Sequence, residues 1–203
     1  MRHPLRSVVL PMLGAAAALS IAGCRIEKVR SADTTAVGSE PGPGIMACGI
    51  TPGSRVGEDG IGVLRIGISV DAVRSSCAII SERPGANDAP LIARVDLGLD
   101  TAKAEFVSGI LRRITLYHQA YRTADSLGVG TRVTRLLNLR SATGLTERNR
   151  FYAVSPAYCG LQFMLEAPAP RRPAAQSGRA SLRRQSGETK ARELEIVGCA
   201  KRR

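Results

Sequence analysis

The chain predicts an α+β fold of two degenerate modules, each a short helix followed by a three-stranded antiparallel meander, with the helices on one face of the sheet. Three observations carry that expectation. An apolar residue and a glycine precede a hydroxyl residue and an apolar-periodic stretch twice, over 66–73 and again over 129–136. Each stretch is followed by apolar runs of strand length. Turn-forming residues separate the runs, with Ser108-Gly109 between two apolar segments the clearest hairpin signal.

In the first copy Val70, Val73 and Cys77 recur at helical spacing, and Ser69 is a natural N-cap because its hydroxyl can accept from an unpaired first-turn N–H. In the second, Val133, Leu136, Leu137 and Arg140 recur likewise, with Thr131 as the expected cap. Strands are expected over 91–97, 102–107 and 110–117 after the first helix, and over 151–154, 161–165 and 194–197 after the second. Pro168, Pro170 and Pro173 lack backbone donors and interrupt the second set. Residues 179–192 read equally as helix or coil.

The N-terminus carries a different kind of signal. Arg2 and Arg6 precede a charge-free run over 7–23 that is rich in Ala, Leu and Val, and small residues lead into Cys24. A basic end, an apolar stretch and a small-residue cleavage site stand in the order of a secretion signal. The run is shorter than the roughly 20 apolar residues a spanning helix needs, and it contains Pro11 and Gly14. Ile21-Ala22-Gly23-Cys24 resembles the lipobox of bacterial lipoproteins, and the resemblance implies cleavage before Cys24, its lipidation and attachment to a membrane. Arg25 stands where an Asp would imply retention at the inner membrane, so the expectation is an outer-membrane anchor facing the periplasm.

The domain plan follows. Residues 1–23 are the signal peptide and 24–60 the lipid anchor and a Gly/Pro-rich tether, too poor in apolar residues to offset its ordering entropy. Residues 61–120 form the first module. Residues 121–199 form the second, with a Pro/Arg-rich insertion over 167–192, and 200–203 are a basic tail. Apart from Cys24 the cysteines are Cys48, Cys77, Cys159 and Cys199, an even number that favours disulfides in an exported chain. Of three connectivities, Cys159–Cys199 with Cys48–Cys77 is preferred. Their spacings form neither CxxC pairs nor Cys/His clusters, so no metal and no cofactor is expected.

Gly67-Ile68-Ser69-Val70-Asp71-Ala72-Val73 resembles the Gly-Met-Thr-x-x-x-Val signature of the BamE (SmpA/OmlA) outer-membrane assembly lipoproteins, with Ile68 in place of Met. The doubled arrangement also resembles the tandem modules of β-lactamase-inhibitory protein. Both families bind other proteins and neither is catalytic, so the resemblance implies a non-catalytic role and a protein partner in the envelope.

The composition narrows the chemistry. The net charge is +12, and residues 171–203 hold ten basic and three acidic groups. Such a region near a surface attracts anionic lipid or another acidic polymer. With no Trp and few Phe or Tyr, the stacking residues of single-strand nucleic-acid binders are missing, and no nucleic-acid partner is expected. His118 is the only histidine beyond the leader, and no Gly-x-Ser-x-Gly elbow accompanies it, so the chain is not read as an enzyme. Asp96, Asp100 and Glu105 are expected to face solvent beside Arg94 and Lys103. Arg122, Thr123 and Asp125 lie in a polar stretch between the modules. They are candidate ligand or partner contacts, or members of a turn in which Thr123 and Asp125 bond local backbone. The alternative function is a small hydrolase or ligand-binding protein with its site in that inter-repeat groove.

Overall fold

A computed structural model describes residues 47–51, 53–85, 89–168 and 178–199. All of them belong to the unit Glu40–Arg203. The leader, Cys24 and the first part of the tether lie outside the described residues, as do residues 169–177 of the Pro-rich insertion and the tail.

The expectation of α+β modules is overturned. The described residues are mostly β, with a two-stranded sheet, one eight-stranded antiparallel sheet and only short helices. Strands β1 (Gly60–Ile61) and β2 (Leu64–Arg65) form the small sheet. Helix α1 (Val70–Ser76) precedes β3 (Ile79–Arg83), β4 (Leu91–Asp96), β5 (Thr101–Val107) and β6 (Ile110–Leu116). Helix α2 (Val133–Leu137) precedes β7 (Thr143–Glu147), β8 (Arg150–Val154) and β9 (Leu161–Pro168); helix α3 (Arg179–Arg183) and β10 (Ala191–Ile196) complete the chain.

The order across the large sheet is β3-β4-β5-β6-β10-β9-β8-β7. The two strand groups therefore do not stay separate. β10 pairs with β9 on one side and with β6 on the other, through Leu194↔Leu116 and Ile196↔Ile114. That pairing joins what would have been two meanders into one ladder.

Ser69 caps α1, accepting from the Ala72 N–H at 3.2 Å. Thr131 does not cap α2. The cap position is Arg132, without a side-chain bond, while Thr131 Oγ1 accepts from the Gly128 N–H at 2.9 Å and closes the preceding turn. Each helix stops within two turns, so neither adds a layer of the depth an α+β module requires.

Alternation sorts the strands into two faces. Ala93, Val95, Ala102, Ala104, Leu111, Ile114, Phe151, Phe163, Leu194 and Ile196 enter one hydrophobic core, joined by Val73, Val133, Leu136 and Leu182 from the helices. Residues of the segment read as a tether share it: Cys48, Ile50 and Val56 are buried. The opposite face carries the charged residues.

Disulfides Cys48–Cys77 and Cys159–Cys199 close, with Cα atoms 4.4 and 5.1 Å apart. The first lies in the core; the second is exposed. Among the described residues no helix is long and apolar enough to cross a membrane.

Candidate functional site: a charged face on the sheet

The strand register places unlike polar residues in a row. Arg94 on β4 stands opposite Lys103 on β5, Lys103 opposite Thr115 on β6, Thr115 opposite Glu195 on β10, and Glu195 opposite Gln162 on β9. One step along, Glu105 stands opposite Arg113. The residues alternating with these feed the core, so the ladder fixes the charges on one side.

Arg113 is the hub. One Nη donates to Glu195 and the other to Glu147 Oε1 at 2.9 Å, while Nε lies 3.9 Å from Glu105. Its side chain is 14% exposed and that of Glu195 only 3%. Glu195 also accepts from the Tyr152 hydroxyl at 3.1 Å. Arg150 donates to Glu193 at 2.8 Å, and Lys103 pairs with Glu105 at 2.8 Å.

Burial and the nearby carboxylates act in opposite or matching senses on these groups. Burial lowers the Arg113 pKa, but the charges of Glu195 and Glu147 outweigh it and the net shift is upward. Burial pushes the Tyr152 phenol up to about 12, reinforced by the charge and hydrogen bond of Glu195. Tyr152 is therefore a neutral donor throughout the physiological range. These acids are held by cations and a phenol through charge-assisted hydrogen bonds.

Among the described residues, two of the depressions on this face share a wall. A cavity of about 240 Å³ lies among Lys103, Glu105, Arg113, Arg150, Tyr152 and Glu195. A second, also about 240 Å³, is lined by Ser81, Arg83, Ile92, Arg94, Lys103 and Tyr117. Lys103 forms part of both walls.

The residues singled out between the modules do come together, in a turn. Thr123 Oγ1 accepts from the Leu127 N–H at 3.1 Å, and Arg122 donates to the Ser126 carbonyl at 3.0 Å. The Asp125 carboxylate accepts from the Tyr158 hydroxyl, and its carbonyl accepts from Arg135 at 2.6 Å. The Arg122 carbonyl accepts from the Val56 N–H at 2.9 Å, tying in the segment before β1. His118 Nδ1 accepts from the Ala120 N–H at 3.1 Å, within its own turn. Asp96 and Asp100 accept from the backbone N–H groups of Gly98 and Thr101.

Glu58, Cys159 and Cys199 bring three potential metal-ligand atoms within 4.8 Å of one another. The two sulfurs are bonded to each other, which removes the thiolates that a soft metal requires. The Glu58 carboxylate lies 3.2 and 3.1 Å from them as a contact. In the basic C-terminal region Arg179 donates to the Leu137 carbonyl at 3.1 Å and Glu188 pairs with Arg132 at 3.3 Å. Arg171, Arg172, Lys201, Arg202 and Arg203 lie outside the described residues.

No family model matches the chain, and no curated protein does. A solved structure does: the uncharacterised protein yfeY from Escherichia coli, with a TM-score of 0.50 and 12% identity, over 70% of this chain and 99% of that one. The likeness is one of fold. It adds no residue role, so the site rests on the geometry above.

Sequence reasoning missed Arg113, Glu147, Arg150, Tyr152, Glu193 and Glu195. A signal was present for the last two, since Glu193 and Glu195 alternate with the apolar Leu194 and Ile196.

Proposed function

We propose that this is a lipid-anchored, non-catalytic binding protein of the bacterial cell envelope, which meets another envelope component through the charged face of its large sheet. The observation that carries the reading is the Arg113 network. A buried guanidinium shared among carboxylates of different strands holds a preorganised polar surface, and such groups, once buried, give specificity more than stability. The lipobox at Cys24 supports the anchor, and two disulfides fit an oxidising compartment. The outer membrane, facing the periplasm, is the favoured location. The basic residues of 171–203 add attraction to anionic lipid or polymer.

Two measurements test this. A fatty-acid probe fed to cells should label the wild-type protein, and Cys24→Ala should abolish labelling and release the protein from the membrane fraction. Labelling that persists in the variant overturns the anchor. A photo-crosslinker replacing Tyr117 should give a discrete envelope adduct that the same group at exposed Ser186 does not give. Identical adduct patterns from both positions would overturn the binding face.

A further inference from the structure

We infer that the depression between β3 and β6 is a binding site for a phosphate monoester group. The inference rests on the binding-face reading above and names the chemistry that face takes. Among the described residues three cations, Arg83, Arg94 and Lys103, line the cavity, and no carboxylate does. Lys103 is offset by Glu105 at 2.8 Å. Among the described residues Arg83 and Arg94 enter no ion pair; Arg94 makes only a long 3.4 Å contact with Thr101 Oγ1. Within the described residues two guanidinium forks thus stand without a carboxylate partner in one cavity, matching the roughly −1.5 to −2 charge of a phosphate monoester at neutral pH. A carboxylate, with a single negative charge, would offset only one of the two positive charges. Planar guanidinium forks suit such an oxyanion, offering paired N–H donors to its oxygens.

The remaining walls agree. Ser81 stands opposite Arg94 across the β3–β4 ladder, which puts a hydroxyl beside the cations. Burial and the charge of Glu193 raise the Tyr117 pKa, keeping the phenol protonated as a further donor. Ile92 and the Tyr117 ring supply an apolar wall for the ester substituent. At about 240 Å³ the cavity falls below the 300–1,000 Å³ of clefts that enclose a whole ligand, so it takes an end group rather than an entire molecule.

The test uses the mature lipidated protein, from Cys24 to Arg203, in nonionic micelles at low salt. Calorimetric titrations are run with inorganic phosphate, with dihexanoyl phosphatidic acid and with benzoate. Saturable binding is expected for a phosphate ligand, with benzoate much weaker. Tighter binding of the phosphatidic acid than of inorganic phosphate assigns a lipid source; the reverse assigns free phosphate. Arg83→Gln and Arg94→Gln should each weaken binding about tenfold. Arg140→Gln and Arg183→Gln, exposed elsewhere, should leave it unchanged. Thermal melts check that each variant is folded, and Tyr117→Phe gives an independent, smaller loss. Absence of saturable phosphate binding overturns the inference, as does equal loss in the control variants or benzoate binding as tightly. If phosphate fails while the Tyr117 crosslink still captures its component, the binding face stands and only its phosphate chemistry falls.

Discussion

Arg113 on β6 and Glu147 at the end of β7 are hydrogen-bonded at 2.9 Å although β10, β9 and β8 lie between their strands. In a flat sheet four strand intervals would separate them by about 19 Å. The face bearing the charges is therefore strongly concave, and the side chains meet across its hollow. Curvature of this kind follows from strand twist and from bulges, which interrupt the ladders at Arg150/Tyr152, Ala191/Glu193 and Glu105/Phe106.

Removing the hub should be costly. Arg113→Ala leaves Glu195 buried without its main counter-charge, and a loss of about 3–5 kcal/mol in urea unfolding is expected. Glu147→Ala removes a partner that is 34% exposed and should cost no more than about 1 kcal/mol. Equal effects from both would mean that Arg113 is not the organising charge.

Tyr152 should give the protein a distinctive alkaline limit. Its folded pKa, about 12, lies above the unfolded value near 10. The stabilisation is thus fully present below pH ~10 and is lost as the pH rises towards ~12, amounting to roughly 2–3 kcal/mol. Tyr152→Phe should flatten stability across that window. The ultraviolet titration of the wild type should also show one more late phenolate, near pH 12, than that of the variant.

The two disulfides should differ in ease of reduction. Cys48 is fully buried, whereas Cys159 and Cys199 are exposed. Mild reductant with thiol-mass mapping should open Cys159–Cys199 first. Loops of 29 and 40 residues make each bridge worth about 3–4 kcal/mol in chain entropy.

Gly160 should tolerate no side chain. A Cβ there would sit 1.8 Å from the Glu58 carbonyl oxygen and 3.1 Å from Gly198. Gly160→Ala must push the segment before β1 away from the start of β9, with a loss of about 2 kcal/mol or more. Limited proteolysis should then cut near Glu58, where the wild type resists.

The sequence made six strands of the large sheet visible, because β4, β5, β6, β8, β9 and β10 carry apolar runs or alternation. The other two gave weak signals. β3 is an edge strand, exposed over Ile80–Arg83, so burial imposes little pattern on it. β7 contains Gly144, whose missing side chain makes room for Phe151 and Ser181. The Thr131 cap failed because that hydroxyl serves the Gly128 turn instead. The fold class failed at a long-range step, since nothing local in 111–116 or 191–196 announces that the two segments pair. The charged face was hidden for the same reason: Arg113, Glu147 and Glu195 become neighbours only once the sheet has curled. Lys103 beside Glu105 was legible because it is local, but Glu105, expected to face solvent, is buried on the curled sheet.

Among the described strands β10 comes last in the chain, yet it lies inside the sheet, between β6 and β9. During synthesis both of those neighbours therefore wait with an open edge until residues 191–196 arrive. Such edges are templates for wrong pairing. A chain cut short before Ala191 would lose the seam of its sheet rather than a peripheral piece, and would be left as two half-sheets with matching unpaired edges.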